Sequence, residues 1–232
     1  MKRQILFSFL LLFFSVVYAQ EKIVWDYPVK PGIKEWAAFK TGKQMVEACQ
    51  IPLDILNTIG TEELVTICLN YPLFNNYIAF NNERKGVNIT IQQFNGLQEL
   101  SQRKDGIREL MKVYADYPIL SHVSKDVYSE ESYIPYKLPF LELVLSDSIF
   151  LNRINSEELE ELRKIAVNKY VDKLQNSEVY SLFNIKKTML LTAVIMNKQS
   201  KTENQDVINT FIKNYNHLDP NTLTEMSKII AE

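Results

Sequence analysis

Histidine and cysteine, the side chains most often used for metal binding, proton transfer near neutral pH and nucleophilic attack, each occur twice in the 232-residue chain, as His122, His217, Cys49 and Cys68. The histidines are far apart, and neither stands in an H-E-x-x-H or related pattern, so each reads as a surface or half-buried structural residue. No G-x-S-x-G elbow, P-loop or G-x-G-x-x-G is present, so common hydrolase and nucleotide-binding sites lack the backbone they need. The acidic pairs at 62–63, 130–131, 157–158 and 160–161 are adjacent residues, which point different ways on a helix. They read as helix caps and solvated faces. Paired-carboxylate glycosidase chemistry needs two carboxyl groups converging across a cleft, which a string of helices does not display. No catalytic residue, metal ligand or cofactor site is assigned on these grounds.

The most ligand-like stretch runs from Tyr71 to Asn82, with Tyr71, Asn75, Tyr77, Asn81 and Asn82 as the candidate ligand-binding residues. Aromatic faces supply contact area, and amides supply directional hydrogen bonds, as a carbohydrate or peptide groove requires. The competing reading, and the favoured one, puts the aromatics in the core and the asparagines at caps and turns. Arg103, Lys104 and Asp105 read as one helix C-terminus and the next N-cap. Cys49 and Cys68 fall near the ends of two neighbouring helices. A bridge between them would close a loop of about 20 residues and stabilise by roughly 3 kcal/mol; two buried thiols acting as small apolar residues is the equal alternative.

The elements that must position these residues are helices. Only six glycines are present, and runs of β-branched residues bounded by turn signals are nearly absent. Thr61, Ser156 and Asp219 each precede acidic residues or an N1 proline, which places a helix start at each. From Ser156, the positions Leu159, Leu162, Ala166, Tyr170 or Val171, and Leu174 form an apolar stripe, with Lys164, Asn168 and Asp172 on the wet face. A Gln175–Ser177 break and a second apolar pattern over 179–196 make an antiparallel hairpin, and 207–215 with 223–230 a further pair. In the N-terminal half, helices are expected over 35–50, 53–59, 62–71, 73–81, 89–102 and 106–117. Pro52, Pro72 and Pro118 punctuate them. The alternating stretch Val87–Ile91 is read as helix over strand. The expected fold is all-α, a helical bundle or a short α–α superhelix of antiparallel helix pairs. Residues 20–33 form an extended N-terminal segment and 34–232 a helical domain, divided if anywhere near the Tyr-, Ser- and Pro-rich stretch 118–139, which reads as a long loop or domain junction.

Residues 1–19 read as a signal peptide: Lys2 and Arg3, an apolar run from Ile5 to Val17, and small residues before a cut at Ala19. The run is too short for a membrane anchor, which takes roughly 20 apolar residues, so no membrane insertion is expected after cleavage. Removing Lys2 and Arg3 leaves 24 Lys+Arg against 28 Asp+Glu, a net charge of −4 with no basic tract. That balance argues against nucleic acid and anionic membranes as partners.

The segments Glu35-Trp36, Met45 to Pro52, Cys68 to Leu73, Ala79 to Asn82 and Phe94 to Leu100 with Arg103-Lys104-Asp105 resemble a group of secreted, uncharacterised Bacteroidetes proteins over residues 28–115. The resemblance implies export and a helical fold and carries no catalytic residues. In exported proteins of that group an Asp-Ser/Thr-apolar pattern is O-glycosylated, which makes Ser148 of Asp147-Ser148-Ile149 a candidate that an intact mass would test. Asn88-Ile89-Thr90 fits N-glycosylation, without weight in a bacterial chain. The resulting expectation is an exported, non-enzymatic protein, periplasmic or extracellular, binding a peptide, protein or glycan partner. A secreted hydrolase with a site assembled from scattered residues is the alternative.

Overall fold

The computed structural model describes residues 25–126, 129–199 and 203–231. The leader at 1–19 and the first residues of the extended segment lie outside them. The protein is all-α, with helices and turns and no strand among the described residues. In chain order the helices are α1 (Lys34–Ala37), α2 (Gly42–Ala48), α3 (Leu53–Thr58), α4 (Thr61–Leu69), a 3-10 helix (Phe74–Ala79), α5 (Glu83–Gln93), α6 (Asn95–Gln102) and α7 (Gly106–Asp116). Then follow α8 (Glu130–Leu145), α9 (Ser148–Leu151), α10 (Ser156–Gln175), α11 (Leu182–Gln199), α12 (Gln205–Lys213), a 3-10 turn (Tyr215–His217) and α13 (Pro220–Ala231).

α8 lies between the two halves, with α5, α7 and the 3-10 helix on one side and α11 on the other. Residues 138–146 are all buried, so this stretch has neighbours all round and shows no amphipathic period. α10 and α11 pack along each other as the expected hairpin, and α12 and α13 pack on α11. One contiguous apolar cluster runs from Tyr27 through both halves to Ile230.

Local chemistry moved several boundaries. The helix expected over 35–50 is two, because Thr41 starts α2 with a capping box in which Gln44 reaches back to the Thr41 N–H. The one expected over 89–102 breaks at Phe94, whose extended backbone separates α5 from α6. Residues 87–91 lie inside α5, as read. Thr61 is the first residue of α4 rather than its cap, and its hydroxyl donates to Asp105 at 3.0 Å. Asn155, one residue before Ser156, caps α10 in a box with Glu158, whereas Asp219 caps α13 as expected. The expected loop over 118–139 ends at Ser129, since α8 runs through both Pro135 and Pro139. Gly106 is required at its position: a Cβ there would meet the Leu100 carbonyl oxygen at 2.0 Å.

Candidate functional site

The described part of the extended segment, from Trp25 on, is anchored to the helices. Tyr27 is 3% exposed and donates its hydroxyl to the Ile67 carbonyl at 2.9 Å, which pins the segment along α4. Trp25 packs edge-on to the Tyr27 ring at 4.7 Å. Between this strap, α4, the turn at Tyr71–Phe74 and the first turns of α8 lies a cleft of about 620 Å³. Its base is formed by the buried Tyr27, Ile67 and Tyr71, its sides by Trp25, Phe74 and Tyr133. Burial pushes the Tyr27 and Tyr71 hydroxyls well above the usual phenol range, so both stay neutral donors.

Four charged groups line the cleft: Asp26, Lys30, Glu63 and Lys137. Asp26 and Lys30 pair at the rim at 2.5 Å, and the Lys30 hydrogen bond holds the Asp26 carboxyl below its ordinary value. Lys137 donates to Asn70 Oδ1 at 2.7 Å and sits 5.9 Å from the centre of the Tyr133 ring. Glu63 differs: its Oε1 is shielded from solvent and has no hydrogen-bond partner. A buried carboxylate oxygen left without a donor costs roughly 1–3 kcal/mol or more, and because it is closed to solvent it lies behind the cleft surface.

Tyr133 also lines a second cleft of about 330 Å³, with Leu120, Val123, Pro135, Tyr136 and Val179. Tyr133, Tyr136 and Lys137 are spaced i, i+3, i+4 on α8 and share one helix face. Another cleft, about 750 Å³, lies between the start of α10 and the end of α11. Its charged groups are already paired: Arg163 and Gln199 with Glu160 at 2.8 and 2.9 Å, and Lys198 with Asn152 outside the lining at 2.9 Å. It has no aromatic wall.

Of the expected ligand residues, only Tyr71 lines the aromatic cleft. Its ring stacks on Phe94 at 4.2 Å. Tyr77 is in the core against Phe140, Asn75 and Asn81 are exposed, and Asn82 caps α5 by accepting from the Lys85 N–H at 2.9 Å. The five residues do not gather at one cavity. His122 is exposed and 3.5 Å from Glu131, while His217 ends the 3-10 turn after α12. Ser148 is exposed at the start of α9, where Asp147 accepts from the Ile149 N–H at 3.0 Å. Cys49 and Cys68 are free thiols with no solvent exposure. Burial raises both, Cys49 to about 11, so neither is a thiolate near neutral pH. Arg103 does more than end α6: it donates to the Ile59 and Leu56 carbonyls at 2.8 and 2.9 Å and so closes the C-terminus of α3. Among the described residues no three His, Cys, Asp or Glu side chains gather to hold a metal ion, and no helix is long and apolar enough to cross a membrane.

Sequence reasoning missed Trp25, Glu63, Tyr133 and Lys137. Glu63 was absorbed into a capping pair, and Pro135 with Pro139 made the α8 aromatics look like loop residues. The available signal was the i, i+3, i+4 spacing of Tyr133, Tyr136 and Lys137.

Buried deeper is a second constellation. Glu142 of α8, fully shielded, accepts two bonds from Lys173 of α10 at 2.8 Å each, one from Thr188 of α11 at 2.8 Å and one from Tyr114 of α7 at 3.0 Å. Beside it, Lys187 donates to Glu83 at 2.9 Å, and Tyr215 donates to the same carboxylate at 3.1 Å. Lys169 donates to the Ala115 and Tyr117 carbonyls at the end of α7. Burial lowers all three lysines, Lys187 to about 8, and the facing carboxylates oppose that for each. Every group in this network has a partner and none lines the clefts, so it holds helices together. No protein-family model, curated protein or solved structure matches this chain.

Proposed function

We propose that the chain is an exported, non-enzymatic binding protein whose ligand, a peptide, protein or glycan, sits in the cleft between the N-terminal strap, α4 and α8. One observation carries this reading: a cleft of about 620 Å³ is walled by Trp25, Phe74 and Tyr133 over the buried Tyr27 and Tyr71. Aromatic walls give contact area, and the Asp26, Lys30, Glu63 and Lys137 side chains in the lining are polar groups able to orient a ligand. Export rests on the leader pattern and on the resemblance over residues 28–115.

A hydrolase in the same cleft would have Asp26 and Glu63 as its carboxylate pair. Glycosidase chemistry needs one carboxyl group kept protonated by its surroundings. The Asp26 carboxylate is already engaged by the Lys30 ammonium at 2.5 Å, so a base or nucleophile there would first have to leave its ion pair, which favours binding over turnover.

The test is a titration of the mature chain with peptide and oligosaccharide panels, read at the two tryptophan indole N–H resonances by NMR. A ligand is expected to move the Trp25 signal and leave that of Trp36 in place, and Tyr133→Ala is expected to weaken it by about tenfold. Ligand binding that bypasses Trp25, or product release that Glu63→Gln abolishes, would overturn the reading.

A further inference from the structure

A cleft of about 320 Å³ lies where the start of α5, the end of α8, α9 and the last turns of α11 meet. It shares no lining residue with the aromatic cleft. Leu143, Leu151 and Val194 give it an apolar part, and Arg84 of α5 with Lys198 of α11 bring two cations. Against them the described lining sets one acid, Asp147, so positive charge is in surplus.

The side-chain acceptors of this lining are engaged within the protein. Asp147 takes the Asn88 side-chain amide at 3.3 Å on one oxygen and the Ile149 N–H at 3.0 Å on the other. Asn152 Oδ1 accepts from Lys198 at 2.9 Å, and Asn197 Oδ1 accepts from Gln205 at 2.6 Å. The Ser146 hydroxyl is turned onto the Leu143 carbonyl at 2.8 Å. What remains donates. Arg84 is half-buried, and among the described residues no acid or other acceptor meets its guanidinium. Lys198 holds only a neutral amide oxygen, so its charge is unmatched. Because an ammonium can only donate, that bond also fixes the Asn152 amide with its oxygen toward Lys198 and its N–H groups free. The Ser148 hydroxyl is exposed beside them.

A lining of unused donors with surplus positive charge favours an anion. A guanidinium meets carboxylate or phosphate oxygens two at a time, and half withdrawn from water with no acceptor it has N–H groups that such an anion would satisfy. The volume falls at the lower end of ligand pockets, about 300–1,000 Å³, which suits a small molecule. We propose that this cleft binds a small organic oxyanion, its carboxylate or phosphate group between Arg84 and Lys198 and its apolar body against Leu143, Leu151 and Val194. The site is independent of the aromatic cleft, so failure at either leaves the other standing.

The experiment titrates the isotope-labelled mature chain with phenyl phosphate, benzoate, the neutral benzamide and inorganic phosphate, followed by NMR at the amides of α9 and of the last turns of α11 and by calorimetry. Phenyl phosphate or benzoate is expected to move those amides, and the tighter of the two names the anionic group. Benzamide is expected to bind about tenfold or more weakly. Arg84→Gln removes a side chain with no partner in the protein, so folding is not at stake, and it should bring the anions down to the level of benzamide. Lys85→Gln, at an exposed position next in sequence and outside the lining, should change nothing. Equal binding of the anions and benzamide to the unaltered protein overturns the proposal. So does equal weakening by Arg84→Gln and Lys85→Gln, which would mean diffuse attraction to surface charge. Inorganic phosphate binding as tightly as phenyl phosphate overturns the assignment of an organic ligand.

Discussion

Lys169, Lys173 and Lys187 carry their ammonium groups into the helical core, where each ends on oxygen: the Ala115 and Tyr117 carbonyls at the end of α7, Glu142 with Thr188, and Glu83. A lone buried ammonium would cost several kcal/mol, and a well-formed pair offsets most of that without adding much net stability. What such pairs supply is a fixed arrangement, since Glu142 is satisfied only when α7, α8, α10 and α11 meet in one register. The residual cost is visible at Lys187, which burial holds down at about 8. An unfolded lysine titrates near ~10.4. Between those values the unfolded chain keeps a proton the folded chain has released, so stability rises with pH across that window and is lowest below it. In denaturant titrations at pH 7 and pH 10, the stability of the unaltered protein minus that of Lys187→Met is expected to grow by roughly 2–3 kcal/mol. A flat or shrinking difference would show that Lys187 is not held in a depressed state.

At the scale of one helix, α10 shows spacing prevailing over residue type. Its buried positions are Leu159, Leu162, Ala166, Lys169 and Lys173, alternating by three and four, together with Tyr170. Of the expected Tyr170 or Val171 and Leu174, Tyr170 is buried, while Val171 and Leu174 are 39% and 47% exposed and the stripe continues through two lysines. The period of the seam was legible; its chemistry was not, because partners on α7 and α8 make a lysine tolerable there. α8 shows a related exchange. Pro139 has no N–H to give to the Pro135 carbonyl, an interior proline normally costing ~3 kcal/mol. Asn184 of α11 donates its side-chain amide to that carbonyl at 3.1 Å. Asn184→Leu is expected to lose about 1–3 kcal/mol in urea unfolding. In a Pro139→Ala background the loss should be smaller, since the Ala N–H can take the carbonyl; equal losses would rule the compensation out.

Across the whole molecule, the strap at Tyr27, the sandwiched α8 and the C-terminal hairpins share one apolar cluster. Both tryptophans lie at the N-terminal end, at positions 25 and 36, whereas the longest helices, α10 and α11, lie C-terminal. Tryptophan fluorescence and helical circular dichroism therefore report different halves. Their urea transitions are expected to coincide, and separate midpoints would divide the chain near 118–139. Helical content, most helix locations and the α10–α11 hairpin were determined by the sequence alone, because caps, prolines and apolar period act within a few residues of one another. The aromatic cleft was decided by tertiary structure. Tyr27 had to reach Ile67, Tyr133 had to arrive on a helix built through two prolines, and Glu63 had to be left without a donor by residues distant in the chain. Burial and hydrogen-bond satisfaction are properties of the packed whole, so no local pattern could announce which acid among so many would be the one left unmet.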